Sequence, residues 1–245
     1  MSRISRFAFA LVAFAVVSLS TVAPSYADAI QLTSFSQLAP GGITAIYPEP
    51  ELTELPSPYT VSAGGNALTF THTGSFVLVD EDISDIEGPS WFGNFPRGTR
   101  LLYTGNALEI GSGPLTIDFA NGVAEFGFQA ENDDVGFQSF SFTVFNGSRV
   151  LGTFGVIGFV DESEDGTSPF LGARATGGDV ITRVTMRSNV PGLFGDQDFA
   201  IGPVTSAQPV PEPTTMLLLG TGLAVIAVRI RRSRRATGKG NGISE

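Results

Sequence analysis

The residues best suited to chemistry in this chain are carboxylates. Asp161-Glu162-Ser163-Glu164-Asp165-Gly166 sets oxygen-bearing side chains at alternate positions ahead of a glycine. This D-x-S-x-D-G spacing is the first half of a calcium loop: Asp161, Ser163 and Asp165 can converge on one hard cation while Gly166 permits the sharp turn. The twelfth position is Gly172, not the bidentate glutamate of an EF-hand, and the flanks look strand-like. The competing reading is a solvated acidic hairpin loop. A second cluster, Glu131, Asn132, Asp133 and Asp134, has Asp196 and Asp198 as further candidates from the end of the domain. A calcium ion at either place would stabilise the fold rather than catalyse.

Other chemistries find little support. His72 is the sole histidine and cysteine is absent, so a Ser-His-Asp set would have to use His72, and neither a thiolate nor a histidine cluster exists for zinc. His72 reads better as a polar residue at a strand end. The sole lysine, Lys239, follows no glycine-rich phosphate loop. Acidic pairs are plentiful enough for a glycan hydrolase, but no spacing singles out two of them. The expectation is a protein that is not an enzyme. Trp91, Phe92 and Phe95 offer two readings: a stacking platform for a sugar ring, with Trp91 as its centre, or a plug over an apolar core.

Strands must position these residues. Glycine (30 residues) and phenylalanine (20) are abundant, and short apolar runs alternate with turn signals. Leu115, Ile117 and Phe119 share one face of a period-two pattern, as do Phe140, Phe142 and Val144. Thr73-Gly74, Asn121-Gly122 and Asn146-Gly147 read as hairpin turns between such runs. About eight to ten short strands result. The predicted fold is all-β, an antiparallel β-sandwich of jelly-roll type over residues 28–201. Residues 202–213, with Pro203, Pro209, Pro211 and Pro213, read as an extended linker.

Charge is divided unevenly. Residues 28–209 hold 22 acids and 6 arginines and no lysine, a formal net of −16. Such a surface repels nucleic acid and anionic lipid and suits solubility outside the cell. Both ends are basic and apolar instead. Arg3 and Arg6 precede an apolar run, and Ser25-Tyr26-Ala27 supplies small residues at the positions a signal peptidase reads, so residues 1–27 read as a signal peptide cleaved after Ala27. The competing reading is an uncleaved anchor. At the other end, residues 216–228 are apolar apart from Thr221 and two glycines. A membrane helix is expected over residues 214–230; its apolar part, from Thr214 to the stem of Arg229, is about 16 residues and would reach about 24 Å, short of a bilayer core of ~30 Å. The basic run 229–235 is expected to stay in the cytoplasm, with a polar tail at 236–245.

The order of this C-terminus resembles the PEP-CTERM sorting signal of Gram-negative bacteria. It comprises Val210-Pro211-Glu212-Pro213, the apolar segment with Gly220-Thr221-Gly222, and the cluster begun by Arg229, Arg231 and Arg232. Pro48-Glu49-Pro50 repeats the triplet, but no apolar segment follows it. The resemblance implies recognition by an exosortase, a membrane protease, in bacteria that make extracellular polysaccharide. It also implies an inner-membrane intermediate held by the C-terminal helix, then release to the outer surface or beyond. Asp196-Gln197-Asp198-Phe199-Ala200-Ile201 is similar to the terminal strand of β-sandwich cargo domains of that family. The function expected is a structural or adhesive role in the polysaccharide matrix. The alternative is a calcium-assisted carbohydrate-binding module, and a less favoured one is a glycan hydrolase.

Overall fold

The structure, a computed structural model, describes residues 28–81, 91–105, 114–192, 195–196 and 198–209. Ala27 with the predicted signal peptide, and Pro211, Glu212, Pro213, Arg229, Arg231 and Arg232 with the predicted membrane helix, lie outside the described residues.

In chain order the strands are β1 (Ala29–Leu32), β2 (Ile43–Thr44), β3 (Glu54–Leu55), β4 (Tyr59–Ala63), β5 (Asn66–Thr71), β6 (Phe76–Asp80), β7 (Arg100–Tyr103), β8 (Leu115–Val123), β9 (Glu125–Asn132), β10 (Gly136–Asn146), β11 (Arg149–Val160), β12 (Phe170–Ala175), β13 (Ile181–Ser188), β14 (Pro191–Gly192), β15 (Gly195–Asp196), β16 (Phe199–Ile201) and β17 (Thr205–Ala207). The helical element among the described residues is one 3₁₀ turn, Phe35–Gln37. One sheet runs β11-β10-β13-β8-β5-β4. A nine-stranded sheet runs β1-β12-β9-β16-β7-β6-β3, with β17 pairing β9 and β2 beside that path. The pairings among these strands are antiparallel, as expected from the alternating sequence pattern of sheets with one buried face; an isolated parallel bridge, Glu81 to Trp91, lies outside them.

The two sheets share one core. Leu68, Phe70, Leu115, Ile117, Phe140, Phe142 and Val184 come from the six-stranded sheet; Phe76, Leu78, Leu102, Phe126, Phe128, Leu171 and Phe199 come from the other. Rings meet between the sheets, Phe126 with Phe142 at 6.2 Å and Phe140 with Phe199 at 6.0 Å, both edge to face. Among the described residues the buried core runs from Ala29 to Val204, and the compact unit closes at Pro209.

Three local readings need correction. Thr73-Gly74 joins no hairpin, because β5 pairs with β4 and β8 while β6 pairs with β3 and β7 in the other sheet. The connection is an arch closed by a side chain: the Gly74 N–H donates to His72 Nδ1 at 3.2 Å, and His72 Nε2 donates to the Ser75 carbonyl at 2.6 Å. Asn121-Gly122 does not turn either. It continues β8, and its backbone is satisfied by Asn66, whose amide donates to Asn121 O at 2.7 Å and accepts from Asn121 N at 2.8 Å. The stretch read as the start of the linker holds β17 and the buried Val204, because residues 205–207 find an open flank of β9. Asn146-Gly147 does make the turn from β10 to β11, with Gly147 at φ +58°, a conformation open to glycine.

Candidate functional site

Strands β6, β7 and β16 are apolar on both faces. Their odd and even positions alternate between the shared core and a second cluster on the sheet's outer side, made by Val79, Leu101, Ala200, Trp91 and Phe95, with Val77 and Tyr103 against it. The loop of residues 91–99 lies over this outer face. It is tied down by carboxylates from two strand ends. Glu81, fully buried beyond β6, accepts the Gly93 N–H at 2.9 Å. Glu131 of β9, also fully buried, accepts the indole N–H of Trp91 at 3.1 Å and the Asn94 N–H at 2.8 Å. Gly93 is glycine by necessity, since a Cβ there would stand 1.8 Å from Glu131 Oε2.

Burial raises the Glu131 carboxyl above the usual carboxylate range, although the bonds from Trp91 and Asn94 pull the other way. Asp133 is raised chiefly by burial too. The Tyr103 hydroxyl donates to Asp198 at 3.1 Å and to Asp133 at 3.3 Å. Burial and these two carboxylates raise its pKa. A carboxyl raised by burial, as at Glu131 and Asp133, has the makings of an acid catalyst. Here Glu131 is roofed by Trp91, Gly93 and Asn94, and its oxygens are spent on the loop.

Asn94 connects this loop to the predicted calcium loop. Its side chain donates to Asp161 Oδ1 at 3.0 Å and Thr167 Oγ at 2.8 Å, and accepts from the backbone N–H of Asp161 at 2.9 Å and of Ser163 at 3.4 Å. Asp165 turns back on its own loop, accepting from the N–H and hydroxyl of Thr167; those bonds lower its pKa. The oxygens of Asp161 and Asp165 thus serve different partners. Among the described residues no group of three His, Cys, Asp or Glu side chains is placed to hold a metal ion.

Trp91 is 4% exposed, tilted against Tyr103 at a ring separation of 5.3 Å, so neither indole face is open to a sugar. Of the predicted trio, Phe95 is buried beside it and Phe92 is exposed. The loop is a plug, but it seals the outside of one sheet rather than the space between the two. His72 packs on Phe76 at 4.3 Å with both ring nitrogens bonded within its arch, and burial lowers its pKa. Among the described residues no acid bonds to it.

The exposed face with distinct character lies elsewhere. On the edge strand β11 and its neighbour, Val135, Phe137, Ile157 and Phe159 are all more than half exposed, and Phe137 stands opposite Phe159 in the register. A shallow depression lined by Val135, Gly136, Phe159, Val160, Asp161 and Glu162 adjoins them. Exposed apolar groups gathered in one patch mark a contact surface.

Against known protein families, residues 209–232 match the PEP-CTERM protein-sorting motif. The chain carries an exosortase sorting signal. The matched stretch begins where the described compact unit ends, and the motif implies export across the membrane to the cell surface, with an exosortase as processing partner. Comparison of the chain with curated proteins found no match. Among the described residues no helix is long and apolar enough to cross a membrane, and the predicted span 214–230 lies outside them.

Sequence reasoning missed Asn94, Glu81 and Gly93. Asn94 sits between a glycine and a phenylalanine with no local pattern, and its side-chain partners are 67 to 73 positions away. Glu81 read as part of an acidic loop. Its burial follows from continuing the outward alternation Val77, Val79, Glu81, which was the available clue.

Proposed function

We propose that this PEP-CTERM protein is a non-enzymatic structural or adhesive component of an extracellular polysaccharide matrix. The observation that carries the reading is the sorting motif at 209–232, set directly behind a compact, strongly acidic β domain. A signal peptidase removes residues 1–27, the membrane helix at 214–230 holds an inner-membrane intermediate, and the exosortase detaches the domain. The domain needs no disulfide, since it has no cysteine, and its two sheets supply a large core instead. The commitment of Glu81 and Glu131 to loop backbone supports a structural role for the buried acids. The apolar patch near Phe137 and Phe159 supports an adhesive one.

Fractionation of the producing cell with intact-mass measurement of the protein tests this reading. The expected product starts at Asp28, ends near Pro213 and is recovered with the matrix; replacing Arg229, Arg231 and Arg232 with glutamine leaves the longer form in the inner membrane. A full-length protein in the cytoplasm, or glycan hydrolysis by the purified protein, overturns the proposal.

A further inference from the structure

Among the described residues the edge strands of the two large sheets are unequal. β4 has 5 residues, β1 has 4, β2 and β3 have 2 each, whereas β11 has 12. Protein sheets guard their edges with charge, proline, bulges or brevity, because an open strand is a template for another. β4 is short and follows Pro56 and Pro58. β11 has no proline and, from Val150 to Val160, no charged residue, in a domain with a net of −16. The register slips once, near Leu151, and from Gly152 to Val160 pairing with β10 is regular.

The outer side of this edge is open to hydrogen bonding. The Gly155 carbonyl accepts from the Gln31 side chain at 3.0 Å, so it points away from β10. In an antiparallel ladder both backbone groups of one residue face the same way, which sends those of Thr153, Ile157 and Phe159 outward as well. The same residues are exposed, Ile157 at 73% and Phe159 at 65%.

We propose that β11 pairs antiparallel with β11 of a second copy, about a two-fold axis at Gly155, joining two six-stranded sheets edge to edge. Charge selects this occupant and this direction. The strand starts at Arg149, whose guanidinium already pairs with Asp28 and Asp179 of its own chain but remains half exposed, and runs into Asp161 and Glu162. Two copies centred on Gly155 set each Arg149 opposite the other's Asp161, whereas parallel pairing would oppose like charges. At the axis Gly155 leaves room for close approach: an added Cβ would meet nothing nearer than the Phe140 carbonyl at 4.0 Å. The partner's Gly155 N–H replaces the Gln31 amide on the central carbonyl. In this register Ile157 of each copy stands opposite Thr153 of the other, two positions from the axis, so it lies within the paired stretch. The inference deepens the adhesive reading above, giving it a second copy as partner, and it rests on that reading only for where the contact forms.

The absence of native cysteine makes the test direct. Gly155→Cys lies on the axis, where opposed Cα atoms come about 5.5 Å apart, within the range a disulfide spans. The full chain in mild detergent, oxidised in air, is expected to form a disulfide-linked dimer with Gly155→Cys and none with Thr60→Cys, on the exposed side of β4. Wild type is expected to sediment as a dimer, and Ile157→Lys, at a position too exposed to disturb folding, to lose it with an unchanged melting temperature. A monomeric wild type, cross-linking equal at Thr60, or a dimer that survives Ile157→Lys each overturns the inference. So does a monomer that binds purified matrix polysaccharide through Phe137 and Phe159, or a patch covered by the chain's own 210–245 segment. None of these outcomes depends on processing, so sorting can fail while pairing holds, and the reverse.

Discussion

The outer face of the nine-stranded sheet and the free edge of the six-stranded sheet handle polarity in opposite ways. Under the 91–99 loop, Glu81, Asn94 and Glu131 are buried and hydrogen-bonded, surrounded by Trp91, Phe95 and Leu101. Along β11, Ile157 and Phe159 stand in solvent beside a row of outward backbone groups, of which the Gly155 carbonyl takes the Gln31 side chain. The groups with catalytic potential hold the fold, and the groups that ordinarily hold a fold face outward. A charged surface elsewhere keeps the domain soluble while one uncharged strand remains free to bind. Function in this molecule is therefore better sought at the apolar edge than among the acids.

The sharpest way to break this contrast is to truncate one side chain in each region. Asn94→Ala removes four part-buried side-chain hydrogen bonds that join the 91–99 loop to residues 161–167 and leaves the Asp161 and Ser163 N–H groups without their acceptor. It is expected to cost about 3 kcal/mol in urea denaturation. Phe137→Ser, on the open patch, is expected to change stability by no more than about 0.5 kcal/mol. Equal costs would mean that the open patch is as structural as the closed one.

The pH dependence of the closed region gives a smaller, signed effect. Burial lifts the folded-state pKa of Glu131 above its ordinary 4.5, so the folded chain holds that proton more tightly than the unfolded chain does. Its contribution to stability is complete below pH 4.5 and is lost as pH rises through the raised folded value. Glu131→Gln removes the titration while keeping one acceptor for Trp91 or Asn94. Between pH 4.5 and 8 the variant is expected to lose less stability than wild type, so its unfolding free energy, measured in urea across that range, falls the less steeply of the two. Parallel stability profiles would show that Glu131 is not held in a desolvated site.

What could be read from the sequence follows the same division. Period-two alternation is local, and it placed Leu115, Ile117 and Phe119, and Phe140, Phe142 and Val144, facing inward as they are. The sorting tail is contiguous, so its order alone made it recognisable. Thr73-Gly74 and Asn121-Gly122 misled because a tight turn and a passage between sheets have similar local composition; the choice rests on Asn66 and on which strand each segment meets. The Asn94 hub was invisible because two of its partners, Asp161 and Thr167, join it only once β9 and β11 are in place.

The smallest expected effect concerns calcium. Asp161 Oδ1 takes the Asn94 amide, Asp165 Oδ1 takes both donors of Thr167, and Ser163 gives its N–H to Asn94. A cation at this loop would have to draw these oxygens together and break the link to the 91–99 loop. At about 10 mM calcium, a site with a dissociation constant near 10⁻³ M, as in extracellular modules, would stabilise the folded state by about 1.4 kcal/mol. For a domain of this size that raises the melting temperature by about 3–6 °C. No rise above about 1 °C is expected for the full chain, because the carboxylates are already employed as acceptors. A larger rise that disappears in Asp165→Asn would show that the loop opens to bind, and would return the acids of the closed region to the functional groups of the molecule.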